Sequence, residues 1–170
     1  EYQIMQDEVE PDSITQLITI KNSTCIPLFH KMVKDPRARV NEQIRIHHTL
    51  PGNMQITSGV YDLDADSETQ VGVDSMHMIT PADENSCHYF WCFKRNGNLE
   101  DHSFTEMMAG MLEHIFHTED VWMAKGQAER IGGKEFWSLR PALLPQDKAA
   151  VLVRRRIEQK VKETNPELES

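Results

Sequence analysis

The feature that most limits how this chain can fold is a single change of hydrophobic period near residue 100. Upstream, apolar residues recur at every second position: Ile44 and Ile46 alternate with Arg45 and His47, and Val71, Val73 and Ile79 share one parity. A period of two puts side chains on alternate faces of an extended chain and predicts strands. From Phe104 onward the period is 3.6, through Met107, Met108, Met111, Leu112, Ile115 and Phe116, and Trp122 and Met123 continue it. That spacing predicts a long helix with one apolar stripe turned to a sheet. Strands followed by helices, without βαβ alternation, predict an α+β fold built on an antiparallel sheet.

Turn residues punctuate this plan. Pro51-Gly52-Asn53 separates Val40–Leu50 from Met54–Tyr61 and predicts a hairpin. The acidic stretch Asp62 to Glu68 predicts a solvated loop, and Pro81 ends the strand that runs through Thr80. Ser86 to Arg95 is apolar on both parities (Cys87, Tyr89, Phe90, Trp91, Cys92, Phe93), which predicts a central strand covered on both sides, closed by Asn96-Gly97-Asn98. The long helix is expected to be interrupted near Thr118 and to stop at Gly132-Gly133. A last helix begins after Pro145 with Asp147 in its first turn, and carries Ala149, Ala150, Val153, Ile157 and Val161 at helical spacing.

Composition narrows the function. With 170 residues the chain fits one domain. Its apolar runs are far shorter than the roughly 18 residues needed to span a bilayer, so no membrane segment is expected. A net charge of −9 opposes nucleic-acid binding, which needs clustered positive charge to displace counterions. A small organic ligand suits this charge better. Cys25, Cys87 and Cys92 are an odd count without metal-finger spacing, as expected of reduced thiols filling small core positions in a cytoplasmic protein. Glu1 is followed by no basic-then-apolar leader, so the start reads as an internal cut or a processed end, with an upstream partner missing.

Polar residues at positions where the pattern wants apolar ones mark candidate chemistry. His77 shares strand parity with Val71, Val73 and Ile79, so its imidazole should face the buried side, where an unpaired polar group costs about 1–3 kcal/mol. It is either a satisfied core histidine or a histidine that meets a ligand. Glu119 or Asp120 must lie on or beside the helical stripe. A uniform helix puts Glu119 nearer its centre and Asp120 on its flank. A carboxylate against an apolar wall raises its pKa or meets a cation, and periodicity leaves both residues open, alongside the reading of an exposed acidic pair at a helix start. His114, His117 and Asp120 recur every three residues but fan apart by about 60° per step, so they do not converge on one metal. His47 and His48, neighbours on a strand, point to opposite faces. Arg154-Arg155-Arg156 is either a solvated helix face or a dock for an acidic partner.

Two segments resemble a known family. His77, Thr80-Pro81 and His88-Tyr89-Phe90, followed by a helix with Thr118-Glu119-Asp120-Val121-Trp122-Met123-Ala124-Lys125-Gly126-Gln127, resemble the catalytic domain of Rieske-type non-haem iron oxygenases of the vanillate O-demethylase, dicamba monooxygenase and phthalate dioxygenase kind. Leu139-Arg140-Pro141-Ala142, then Lys148-Ala149-Ala150-Val151 and the arginine run, are similar to the family's ending. The resemblance covers most of residues 70 to 160. It implies a helix-grip fold, a curved antiparallel sheet with a long helix, incomplete in this chain because residues 1–170 correspond to the C-terminal part of the catalytic domain. It implies that Asp120, not Glu119, is the aspartate of a two-histidine, one-carboxylate iron site, with a local departure from uniform helix there. By the same resemblance His77 contacts substrate, Met111 forms a bulky pocket wall, and Gln55 lies near a substrate-binding amide in a register that can slip by one.

The implied cofactors are mononuclear Fe(II), a 2Fe-2S Rieske cluster, and NADH acting through a reductase. The two iron histidines and the Rieske domain would lie upstream of Glu1. The implied partners are O2, an aromatic acid to be hydroxylated or O-demethylated, the reductase, and two further copies in a homotrimer. The chain alone is expected to be inactive. The alternative is a metal-free carrier of hydrophobic ligands, because the same fold also serves that purpose.

Overall fold

The computed structural model describes residues 2–165. Its six strands are β1 (Tyr2–Val9), β2 (Ser13–Thr24), β3 (Arg39–Thr49), β4 (Asn53–Asp62), β5 (Val71–Pro81) and β6 (Cys87–Arg95). They form one antiparallel meander in the order β1-β2-β3-β4-β5-β6. The fold class is α+β, as the change of period predicts. Contacts divide the chain into two compact units where composition suggested one domain: the sheet with the C-terminal helix, and Leu99–Pro145.

The predicted hairpin is β3–β4, in register from Val40↔Asp62 to Thr49↔Asn53. Cross-strand partners share a face, so the ladder sorts residues into two sets. One face carries Val60, Val71, Val73, Ser75 and His77, together with Val40, His48, Met54 and Ile56. The other carries Gln55, Thr57, Asp74 and Met76. Gly59 and Gly72 are paired on that second face, and a Cβ on Gly72 would meet the Ser58 carbonyl oxygen at 2.1 Å. Glycine is needed there because the two backbones approach too closely for a side chain.

The core of the sheet unit lies at one end of the first face. Phe29, Cys25, Val40 and Val60 are all but fully buried, with Met32, Val33 and Val73 packed on them. Each such side chain contributes on the order of 1.5–3 kcal/mol of burial. The C-terminal helix, α3 (Lys148–Thr164), packs on β2 with Ala149 buried. Lys148 pairs with Asp7 at 2.8 Å, and Lys160 pairs with Asp12.

β6 departs from expectation. It lies at the edge of the sheet, with Phe90 56 % and Tyr89 41 % exposed. Apolar content on both parities says that a strand can be covered, whereas position in a sheet follows from chain order, and a meander puts its last strand at an edge. Cys87 and Cys92 share that exposure, and only Cys25 fills a buried position as expected of all three. Burial pushes the Cys25 thiol up, with the nearby Glu42 adding to the effect.

In the second unit, α1 (His102–Ile115) starts at Asp101, whose carboxylate accepts from the Phe104 amide at 2.9 Å. Phe104 and Met108 are its buried residues. The chain continues through a π-helical turn, Phe116–Asp120, into α2 (Val121–Ile131), which ends at Gly132 with φ 58°. That left-handed residue is the stop predicted at Gly132-Gly133.

Candidate active site

His77 is 5 % exposed and sits between Met54 of β4 and Trp91 of β6. Its polar demand is met within the sheet: Nε2 is 2.8 Å from Ser75 Oγ and Nδ1 is 2.5 Å from Tyr89 Oη. The imidazole and phenol rings stack at 5.9 Å between centroids. Ser75 lies two residues back on the same face, and Tyr89, paired with Ile79, is the diagonal neighbour across the β5–β6 ladder. The inward parity of His77 was legible from the valines beside it. Ser75 and Tyr89 were not singled out, although Ser75 shares that parity; Tyr89 needed the β5–β6 register.

Gln55 is on the opposite face. It pairs with His47 and Met76 and lines a groove of about 220 Å³ with Asp74, Cys92 and Lys94. Burial would raise the Asp74 carboxyl, but hydrogen bonds from Thr57 and Lys94, the Lys94 charge and a hydrogen bond from Gln55 outweigh it, and the net shift is downward. Gln55 and His77 therefore do not face one cavity. A slip of one residue, to Met54 or Ile56, gives a position on the His77 face.

The two adjacent histidines of β3 diverge as expected. His47 Nδ1 lies 2.8 Å from Thr15 Oγ1 on the Gln55 face. His48 shares the His77 face, and burial, with a smaller effect from His47, depresses its pKa.

The helical unit holds the other two candidates. Met111 is 36 % exposed, on the flank of the buried line through Phe104 and Met108. The π turn is the interruption expected near Thr118: the Val121 amide donates to the Phe116 carbonyl, five residues back, and Thr118 Oγ1 donates to the His114 carbonyl at 2.7 Å. A π turn inserts one residue into a helix. Asp120 is thus carried toward the angular place that a uniform helix would give Glu119, the place nearer the stripe. Glu119 and Asp120 are both exposed, as are His114 and His117. Among the described residues, no group of three or more His, Cys, Asp or Glu lies together in a way that could hold a metal ion.

Residues 2–163 match the model of the vanillate O-demethylase oxygenase C-terminal domain. The chain belongs to that family. As a vanillate O-demethylase-type C-terminal domain it is part of the catalytic domain of a Rieske oxygenase. It is 41 % identical over 111 residues to the oxygenase component of chloroacetanilide N-alkylformylase from Rhizorhabdus wittichii, covering 65 % of this chain and 32 % of that relative. It is 34 % identical over 82 residues to the oxygenase component of dicamba O-demethylase from Stenotrophomonas maltophilia, covering 48 % of this chain and 24 % of that relative. Among solved structures, dicamba monooxygenase bound to 3,6-dichlorosalicylic acid superposes with a TM-score of 0.79 at 27 % identity, over 92 % of this chain and 46 % of that one. Dicamba monooxygenase with non-haem iron and dicamba gives 0.73 at 28 %, over 91 % and 47 %. The α+β, helix-grip-like class of the oxygenase catalytic domain is thereby shared. The vanillate O-demethylase-type domain described here spans less than half the length of each of these proteins. No described helix is long and apolar enough to cross a membrane.

Proposed function

We propose that this chain is the C-terminal part of the catalytic domain in a longer, cytoplasmic Rieske oxygenase that hydroxylates or O-demethylates an aromatic acid, and that the chain alone is inactive. The observation that carries the reading is the coincidence of the family match with a π turn that ends on Asp120. In this reading Asp120 is one protein donor to a mononuclear ferrous iron, and two histidines upstream of Glu1 supply the others. When bound, that iron would activate O2, with electrons from NADH delivered through a reductase and an upstream 2Fe-2S Rieske cluster. A homotrimer in which one subunit's cluster serves its neighbour's iron completes the assembly.

This chain's own residues contribute substrate recognition. In this reading His77, held by Ser75 and Tyr89, contacts substrate, and Met111 is the bulky wall residue that the family resemblance assigns. Gln55 lies on the opposite face of the sheet from His77, and a slip of one residue would bring the family's substrate-binding amide position to the His77 face. Support for the substrate class comes from dicamba monooxygenase, whose solved structures include bound dicamba and bound 3,6-dichlorosalicylic acid.

The reading is tested on the full-length protein with a Rieske reductase and NADH. Oxygen consumption coupled to an aromatic acid, in protein that contains mononuclear iron, is expected. An iron-free protein that binds apolar ligands without consuming oxygen would support the carrier alternative instead.

A further inference from the structure

One row of the ladder crosses the sheet as Ile14, His48, Met54, His77 and Trp91, each paired with the next from β2 to β6. Cross-strand partners share a face, so the two imidazoles stand on the same side of the sheet with Met54 between them. Two strand spacings separate their backbones, about 10 Å. The neighbouring row on that face runs Gln16, Ile46, Ile56, Ser75 and Phe93, which sets Ile46 beside His48 and Ile56 beside Met54. His48 therefore stands among apolar side chains.

The histidines differ in what they already hold. Ser75 and Tyr89 lie within hydrogen-bond distance of His77, and Thr15 serves His47 on the opposite face. Among the described residues, no hydrogen bond or ion pair reaches the His48 imidazole. Burial lowers its pKa, with a smaller effect from His47, so at neutral pH the ring is uncharged and offers one donor nitrogen and one acceptor. The residue is partly buried, yet both ring nitrogens remain reachable: among the described residues, Gln70 Oε1 is the sealed side-chain atom that lacks a partner. A partnerless imidazole in such surroundings weakens the fold relative to an apolar side chain. A polar group on a bound ligand would offset that cost.

We propose that His48 is a second ligand-binding residue on the His77 face, which hydrogen-bonds a hydroxyl or alkoxy oxygen on the substrate's ring, away from the group that meets His77, while the ring lies on Met54. The inference rests on the aromatic-acid reading above and adds the substrate's second polar group to it. Ring-oxygenated acids are then preferred over unsubstituted benzoic acid.

The test is calorimetric binding to the full-length, iron-loaded protein, with benzoic acid, meta- and para-hydroxybenzoic acids and their methoxy counterparts as probes. In the unaltered protein the preferred ring-oxygenated acid is expected to bind about five- to tenfold more tightly than benzoic acid. His48→Leu should abolish that preference and change benzoic acid affinity by less than about twofold. The thermal midpoint of the same variant should equal or exceed that of the unaltered protein, because leucine suits the apolar row and no bonded partner is lost. Absence of any preference in the unaltered protein would overturn the proposal. Equal weakening of benzoic and ring-oxygenated acids in His48→Leu would do so as well, and a lowered thermal midpoint or a variant that does not fold would show a structural histidine instead. If the unaltered protein binds none of these acids, the aromatic-acid reading itself fails and this inference goes with it; benzoic acid bound without preference sinks the inference alone.

Discussion

Asp7, on the first strand, makes two contacts: Lys148 of the last helix at 2.8 Å and the side-chain amide of Gln16 on the neighbouring strand β2 at 3.2 Å. The hydrogen bond from Lys148 holds its carboxyl below the ordinary aspartate value, against burial, which pushes it up, and with help from Gln16 and the Lys148 charge. A folded pKa below the unfolded one stabilises the fold above the ordinary value near 3.8, and that contribution is lost as pH falls through the folded value. Lys148 is 67 % exposed, so solvent screens the pair and its worth is about 1 kcal/mol or less. Asp7→Asn should therefore lower unfolding free energy by about that amount at pH 7, and the two proteins should converge well below the ordinary aspartate value, as urea titrations at the two pH values would reveal. A constant difference across that range would contradict the assignment. At this scale the inward parity of His77 was readable from Val71 and Val73, but whether position 55 shares that face was not. That depends on register across residues 63–70, a connection containing a 3-10 turn at Ser67–Thr69 that no hydrophobic period reveals.

The π turn is the element on which the placement of Asp120 depends. Removing the inserted residue should return the segment to uniform α-helix and rotate everything beyond it by about 100°. Deletion of Thr118 from the full-length protein is expected to leave helical circular dichroism unchanged while abolishing mononuclear iron binding. Retained iron would mean that the angular place of Asp120 is unimportant. The interruption near Thr118 was expected from the sequence, though its π character was not. The hairpin β3–β4 was legible because Pro51-Gly52-Asn53 separates two runs of clear alternation. β1 and β2 were not delimited, and the reason is visible in β2: Ser13, Thr15, Gln16, Thr19 and Ser23 are all buried there, so polar residues occupy inward positions and blur the period. β6 misled for the converse reason, since apolar residues on both parities stand on an exposed edge.

At the scale of the whole molecule, the sheet unit holds the Ser75, His77 and Tyr89 chain, and the helical unit, taken by itself, holds Asp120 and Met111. The order of His77, Met111 and Asp120 along the chain was readable from the family resemblance. Their completion by donors outside the 170 residues is the central claim, and iron stoichiometry tests it most directly. In the full-length protein, Asp120→Asn is expected to lose the mononuclear iron and all turnover while the Rieske cluster keeps its visible and electron paramagnetic resonance spectra. An Asp120→Asn protein that holds as much mononuclear iron as the unaltered one, and still turns over, would contradict the account.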